Sequence, residues 1–301
     1  MRVLTAGASG FLGTRLVTRL REAGHDVVRL VRREPAPGPA GADERRWDPS
    51  TGTLDPSTLD GVGAVVNLSG ANIGDKRWSA DYKRELIGSR TSATGTLAKA
   101  VAAHAEPIAL LSMSGIHYFG DGHDRVLTEA DDPGEGFLSE MTRAWEAATA
   151  PARVAGRRVV LMRTGLPLHP AGGVLQPLLL PFRLGVGGPL GNGRSWVPWI
   201  SMRDCLAAME FLVERDDIAG PVILAGPEPA RWKELATALG RQLHRPAVFP
   251  VPKIALNVVA GTEFATEMLM SQRALPAVLS EHGFAFADRT VGSAVAGAFQ
   301  R

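Results

Sequence analysis

Three glycines, Gly7, Gly10 and Gly13, constrain this chain more than any other feature of its sequence. They follow a short apolar strand at the start of the chain, and they precede a stretch whose leucines recur at helical spacing. A glycine-rich turn between a strand and a helix lets backbone N–H groups approach a pyrophosphate, and the helix N-terminus favours its negative charge. Ordinary tight turns also use glycine, but this context favours a dinucleotide-binding turn.

Composition narrows the function classes. The chain has 301 residues, and its 33 Lys and Arg nearly balance its 31 Asp and Glu, so we predict no nucleic-acid partner. The single cysteine, Cys205, excludes an internal disulfide and is typical of a reducing compartment. No apolar run reaches membrane-spanning length, and no cluster of His, Cys and Asp has metal-ligand spacing. We therefore expect a cytoplasmic protein without signal peptide, membrane contact or metal, either a monomer or a homodimer.

Strand-like and helix-like segments alternate along the first half of the chain. Apolar runs typical of strands lie at residues 27–31, 64–68, 108–112, 158–163 and 221–225, and we expect a short third strand at 45–47. Helical patterns fill residues 79–104 and 136–155. This rhythm predicts an α/β fold with a doubly wound parallel Rossmann sheet and a smaller C-terminal substrate lobe. We assign residues 1–165 to the NADP-binding core, which the chain rejoins at 200–226, and residues 166–199 and 227–301 to the lobe.

Two arginines favour the phosphorylated form of the cofactor. NAD-binding folds place an acidic residue about 20 positions after the glycines, where it holds the ribose 2′-hydroxyl. Here Arg32 and Arg33 occupy that place. A guanidinium pairs with a 2′-phosphate instead, so we predict NADP(H), although two basic residues also suit a solvated strand end.

A further small-residue segment, Asn67, Leu68, Ser69 and Gly70, ends the strand at 64–68. Small residues there let the chain pass beside a bound cofactor, although a simple turn would use them as well.

The chain resembles the extended, or atypical, short-chain dehydrogenase/reductase superfamily, and within it the "epimerase family" branch of nucleoside-diphosphate-sugar epimerase-like proteins. The resemblance runs along nearly the whole chain and rests on several short strings in the family's order. They are residues 67–70 with 75–78, Ser89-Arg90, residues 118–121, Trp145-Glu146, residues 163–165, 187–194 and 199–204, and the C-terminal strings 272–276 and 283–286. It implies a Rossmann fold and a nicotinamide cofactor, most plausibly NADP(H), and no particular substrate.

The superfamily's usual catalytic pair is missing. Its members use a Tyr as general acid/base and a Lys four residues later that lowers the pKa of the phenol. Gly122 follows Tyr118 by four residues, and Leu86 follows Tyr82, so no Tyr-x-x-x-Lys exists in this chain. The resemblance places Leu138 and Thr142 where the pair would stand, and neither transfers protons at neutral pH.

Other residues are candidates for the chemistry. Ser114 matches the superfamily's active-site serine, and His117 and Tyr118 follow it closely enough for one of them to act as acid or base. A turn histidine on the surface is the alternative for His117. Lys76 and Arg77 follow the glycine-ended strand and can hold an anionic group, although solvated loop charges are as common.

The predicted site thus has three parts. The catalytic candidates are Ser114, His117 and Tyr118, and the substrate candidates are Lys76, Arg77 and Arg194. The cofactor-binding candidates are Gly7, Ser9, Gly10, Phe11, Leu12, Gly13, Arg32, Arg33, Asn67, Leu68, Ser69, Gly70, Ser112 and Arg163. Two functions fit them: an NADP(H)-dependent oxidoreductase or epimerase-like enzyme acting on a small polar molecule, or an NADP(H)-binding sensor without redox turnover.

Overall fold

A computed structural model describes residues 1–300 of the chain, which form fourteen strands and eleven α-helices within those residues. The strands are β1 (Arg2–Ala6), β2 (Asp26–Val31), β3 (Glu44–Asp48), β4 (Thr53–Leu54), β5 (Val62–Asn67), β6 (Ala109–Gly115), β7 (Val126–Leu127), β8 (Val159–Thr164), β9 (Leu166–Leu168), β10 (Trp196–Val197), β11 (Trp199–Ser201), β12 (Gly220–Leu224), β13 (Ala230–Arg231) and β14 (Arg273–Ala274). The helices are α1 (Gly13–Glu22), α2 (Ala80–Ala103), α3 (Phe137–Ala147), α4 (Ala150–Val154), α5 (Leu175–Arg183), α6 (Met202–Glu214), α7 (Trp232–Leu243), α8 (Lys253–Ala260), α9 (Thr262–Met268), α10 (Ala277–Glu281) and α11 (Val291–Ala298).

Eight strands form the main sheet, in the order β12-β8-β6-β5-β1-β2-β3-β4. Every neighbouring pair is parallel except β3 and β4, which are antiparallel. The strand order reverses between β1 and β5, and in a doubly wound sheet the ligand crevice opens at that point, beyond the carboxyl ends of the strands. The predicted doubly wound parallel sheet is confirmed. The division of the chain into a core and a lobe stays a prediction.

Apolar side chains bury both faces of this sheet. Leucines and methionines of α1 and α6 form a core on one face, and small and branched residues of α2 and α4 form the core on the other. β8 is buried at all six positions, as expected for a central parallel strand covered on both sides. Cys205 lies within the first core, where burial raises the pKa of its thiol to about 12. A separate apolar cluster joins α5, α7 and α11.

The prediction of one continuous helix over residues 136–155 is wrong. The structure has two helices there, because α3 ends at Ala147 and α4 begins at Ala150. Pro151 lies in the first turn of α4, where its missing N–H costs nothing, but it cannot continue a helix from the preceding residues. The break leaves α3 as a short helix beside the end of β6.

Three two-stranded sheets accompany the main sheet within residues 1–300, and two of them pair a later strand, β13 or β14, with an earlier one. β14 pairs in parallel with β7, while β9 pairs with β11 and β10 with β13. None of the helices within residues 1–300 is both long and apolar enough to cross a membrane.

Candidate functional site

The glycine turn lies at the reversal point of the sheet, between β1 and α1. Gly7 has a φ of +76°, and a Cβ added there would come within 2.7 Å of the backbone carbon of Leu68, beyond the end of β5. A Cβ on Gly13 would overlap the carbonyl oxygen of Gly7. Both glycines are therefore required by close backbone approaches, Gly7 to the segment after β5 and Gly13 within the turn itself.

Gly10 differs from the other two glycines. It is exposed, its φ is not in the left-handed region, and a Cβ there would meet only the Gly7 oxygen, at 3.2 Å. Ser9 beside it is also exposed, and Leu12 immediately precedes α1. The first turn of α1 contains no acidic residue, so nothing there neutralises the positive end of the helix. This geometry suits a bound pyrophosphate.

Phe11 lies beside the turn and is held by three neighbours. Its ring meets that of His169 edge-on at 5.8 Å, and the Arg15 guanidinium lies 4.8 Å from its centre. A side chain on Gly172 would collide with the same ring. Phe11 therefore joins the turn to the loop after β9.

The two arginines after β2 have different surroundings. Arg33 donates two hydrogen bonds to the buried carboxylate of Glu44, at 2.7 and 2.8 Å, and holds the pKa of Glu44 below its usual value. Arg32 is exposed, and its guanidinium has no hydrogen bond or ion pair within residues 1–300. Only Arg32 is thus available to a phosphate without breaking an existing bond.

The end of β5 is organised by a buried hydrogen-bond network. The side-chain nitrogen of Asn67 donates to the Thr94 hydroxyl at 2.9 Å, and the Trp145 indole donates to the same oxygen at 2.9 Å. The other end of the Asn67 amide accepts from the backbone N–H of Ser69 at 3.1 Å. Strand β5 is thereby connected to both α2 and α3. Leu68 and Ser69 lie against Gly7.

A second buried network spans the ends of β6 and β8. Ser114 donates its hydroxyl to Glu146 at 2.6 Å, and Arg163 donates to both oxygens of that carboxylate, at 2.9 and 3.0 Å. Another Arg163 nitrogen donates to the backbone oxygen of Glu129 at 3.3 Å. All three side chains are at least nine-tenths buried. Because the Ser114 proton points to Glu146, the hydroxyl presents its lone pairs, not its proton, to a ligand.

His117 and Tyr118 follow in a short 3₁₀ helix, Ile116–Phe119. The Arg163 guanidinium lies 3.5 Å from the centre of the Tyr118 ring, so the ring packs on the Ser114 network. The Tyr118 hydroxyl has no hydrogen bond within residues 1–300. Burial lowers the pKa of His117 to about 4. Its imidazole is therefore neutral at pH 7, with one nitrogen able to donate and one able to accept.

The structure places Leu138 and Thr142 in the buried face of α3, and Thr142 donates its hydroxyl to the Leu138 carbonyl at 2.7 Å. The other tyrosine, Tyr82, is buried in α2 and donates to the backbone oxygen of Asn72. Neither arrangement supplies a free phenol with a neighbouring ammonium. Ser112 is buried in β6 and donates to the carbonyl of Met113 at 3.2 Å.

The three substrate candidates make different contacts. Lys76 pairs with Glu85 at 3.2 Å, and Arg77 donates to the backbone oxygen of Val258. Arg194 lines a cavity of about 1120 Å³ between α7 and α11, and no other predicted site residue contributes to that lining. A shared role for these three cations stays a prediction.

Sequence reasoning missed two buried side chains at this edge, Glu146 and Arg90. Glu146 orients Ser114 and Arg163, while Arg90 lies beside Gly70, whose added Cβ would be 3.2 Å from the Arg90 side chain. Both belong to strings that carry the family resemblance, Trp145-Glu146 and Ser89-Arg90. The hydrogen-bond partners of Glu146, Arg163 and Ser114, are 17 and 32 residues away in the chain. Arg90 lies beside Gly70 only in the folded chain, so spacing alone gave no signal for either residue.

Comparison with known proteins supports the same family. The model of the NAD dependent epimerase/dehydratase family matches residues 3–226, and a domain of unknown function, DUF1731, matches residues 251–298. An epimerase family protein of Mycobacterium bovis is 43% identical over 97% of this chain and 96% of its own length. The crystal structure of human epimerase family protein SDR39U1 with NADPH has 31% identity and a TM-score of 0.89, covering 99% of this chain and 98% of that one.

A nucleoside-diphosphate sugar epimerase of Corynebacterium glutamicum is 32% identical, with a TM-score of 0.79. The similarity covers 98% of this chain but only 57% of that larger one. The resemblance drawn from the short strings is thus confirmed by a family model over most of the chain and by full-length relatives. This chain belongs to the NAD dependent epimerase/dehydratase family.

Proposed function

We propose that the protein binds NADP(H) across the reversal point of its sheet. The glycine turn and the N-terminus of α1 would hold the pyrophosphate, and Arg32 would pair with the 2′-phosphate. The unpaired guanidinium of Arg32 and the open surface at Gly10 support this assignment. The human relative solved with NADPH supports it independently.

We further propose an NADP(H)-dependent oxidoreductase or epimerase-like enzyme that acts on a small polar, sugar-nucleotide-like molecule. The observation that carries this proposal is the buried Ser114–Glu146–Arg163 network beside His117 and Tyr118. A polar network of this kind is costly to bury unless every member has hydrogen-bond partners. Here the lone pairs of the Ser114 hydroxyl remain available to accept a hydrogen bond from a ligand. The nucleoside-diphosphate sugar epimerase relative supports the substrate class.

The cofactor and the side chains at this edge would have separate roles in the reaction. The nicotinamide would supply hydride transfer when the cofactor is bound. Ser114 would accept a hydrogen bond from a substrate hydroxyl, while its own hydroxyl proton stays hydrogen-bonded to Glu146. The neutral imidazole of His117 would take up or return the proton at one ring nitrogen, a role that the Tyr118 hydroxyl would otherwise fill. Lys76, Arg77 and Arg194 remain our candidates for anionic parts of the substrate.

A second function is favoured by one specific observation, the absence of any Tyr-x-x-x-Lys. In that case the protein would be an NADP(H)-binding sensor without turnover. In both cases we propose a monomer or homodimer in the cytoplasm, which a single buried cysteine and a balanced charge support.

A turnover measurement distinguishes the enzyme from the sensor. We expect at least one member of a panel of sugar nucleotides, aldehydes, ketones and quinones to oxidise bound NADPH in stopped-flow absorbance. Ser114→Ala should slow that reaction on the order of 10–100-fold, with NADPH affinity unchanged, because it removes one buried acceptor. Ser92→Ala, at an exposed position of α2, is the control. A panel without any turnover would establish the sensor instead.

A further inference from the structure

Arg90 is buried without a carboxylate partner. It is 8% exposed, and among the residues that the structure describes only Arg163 is an arginine buried as deeply. Arg163 has Glu146, whereas Arg90 donates a single hydrogen bond to the backbone oxygen of Leu86, at 3.0 Å. Within residues 1–300, the buried Nε of Arg90 has no hydrogen-bond partner. An isolated buried cation is costly, so a structure retains one only where something compensates for it.

The guanidinium nevertheless stays charged. Burial lowers the pKa of Arg90 to about 10, which leaves the side chain protonated at pH 7. The Trp145 ring, 5.0 Å from the guanidinium carbon, offers the face of its π-system. This contact stabilises a cation only partly, and it leaves the planar N–H fork unsatisfied.

Arg90 also lies at the ligand edge of the sheet. Gly70 packs against its side chain, and the same segment approaches Gly7 through Leu68. One turn further along α2, Thr94 receives the hydrogen bonds from Asn67 and the Trp145 indole. The unsatisfied cation therefore borders the crevice beyond the carboxyl ends of β1 and β5, where the strand order reverses.

We propose that Arg90 binds an anionic group, a carboxylate or a phosphate, of the small-molecule substrate. This proposal rests on the proposed function, since it names the chemistry of that substrate. The cofactor's own phosphates already have candidate partners, the glycine turn and Arg32, so the unpaired fork of Arg90 is left for a second ligand. Bidentate pairing with two oxygens of a carboxylate or phosphate would satisfy the donors that the protein leaves open.

Arg90→Met tests the proposal by binding and stability, without any need for turnover. Arg158→Met is the matched control, because Arg158 is also partly buried and donates only to backbone carbonyls, those of Ile218 and Leu212. The probes are inorganic phosphate and acetate, titrated calorimetrically into NADPH-saturated protein so that the cofactor's own phosphate sites are filled.

We expect Arg90→Met to leave the NADPH Kd within about twofold, and to weaken phosphate or acetate binding at least tenfold, since it removes a charged bidentate donor. The control should bind both probes like the native protein. Without ligand, the Tm of Arg90→Met should equal or exceed the native value, because an uncompensated buried charge has been removed. Arg90→Lys should keep the charge and recover part of the binding.

Three outcomes would overturn the proposal. One is a lower Tm with native probe affinity, which would make Arg90 structural. Another is a large loss of NADPH affinity in Arg90→Met alone, which would assign the anion to the cofactor. The third is that neither probe binds the NADPH-saturated native protein. Failure of the NADPH oxidation panel would contradict only the proposed turnover, because none of these measurements depends on catalysis.

Discussion

Arg32 and Arg33 show how adjacent residues of one type acquire different roles. Both follow β2, but Arg33 donates to the buried carboxylate of Glu44, while Arg32 is exposed and has no hydrogen bond or ion pair with the residues that the structure describes. Removing Arg33 would leave Glu44 buried without its main partner. Removing Arg32 would break no hydrogen bond or ion pair with the described residues. The effect of an Arg32 substitution on binding therefore reports on the ligand alone.

We therefore expect Arg32→Ala to weaken NADPH binding by about 10–100-fold and to leave NADH binding unchanged, since one charge-assisted hydrogen bond is lost. Arg33→Ala should mainly lower stability and change NADPH affinity less. Isothermal titration of both variants with both cofactors measures the difference. Native NADPH affinity in Arg32→Ala would contradict the assignment of the 2′-phosphate.

The sequence predicts the residues whose role is local. The spacing of the glycines and the basic residues after β2 could be interpreted directly, because strand, turn and helix follow one another within about 30 positions. Glu146 and Arg90 could not be predicted in this way. Their roles depend on burial and on which distant residue does, or does not, lie opposite them in the folded chain.

Among the secondary-structure elements, β1, the glycine turn and α1 form one unit, and the three glycines of the turn have different structural roles. Gly7 and Gly13 allow close backbone contacts inside the protein, whereas Gly10 faces outward. The spacing of the three glycines predicted the turn, but only the packing shows which of them is free to meet a ligand. The break between α3 and α4 was likewise hidden by a helical pattern that continues across Pro151.

Gly10→Val should abolish dinucleotide binding in a protein that still folds. The branched side chain would occupy the space of the pyrophosphate, while its only close protein neighbour is the Gly7 oxygen. Gly88→Val in α2, where an added Cβ meets nothing within 4 Å, is the control and should bind NADPH normally. Circular dichroism checks folding, and fluorescence titration with NADPH measures binding. Retained binding by folded Gly10→Val would remove this turn from the site.

Across the whole molecule, the C-terminal residues hold the candidate catalytic edge in place. Glu267 of α9 accepts a hydrogen bond from the backbone N–H of Phe137 at 2.8 Å, at the start of α3. Gln272, which is buried, donates to the carbonyl of Gly120 at 3.0 Å. The first family model ends at residue 226 and the second begins at residue 251, and these contacts join the regions that the two models match.

We expect Gln272→Ala to lower the Tm of the entire protein by about 2–4 °C in a single calorimetric transition, because it leaves buried carbonyls without a donor. Glu281→Gln, an exposed change in α10, should leave the Tm unchanged. Two separate transitions, with only one of them shifted, would show that the regions on either side of residue 250 unfold independently.

The contacts of Glu267 and Gln272 also imply an order in which the two parts of the candidate site obtain their contacting residues as the chain is synthesised. The glycine turn and the end of β5 lie within the first 70 residues, so the dinucleotide crevice has its backbone neighbours early in translation. The hydrogen bonds that join Ile116 to Gln272, and Phe137 at the start of α3 to Glu267, can form only after residue 272 has left the ribosome. A nascent chain would thus shape its nucleotide-facing edge well before the segment that contains His117 and Tyr118 settles.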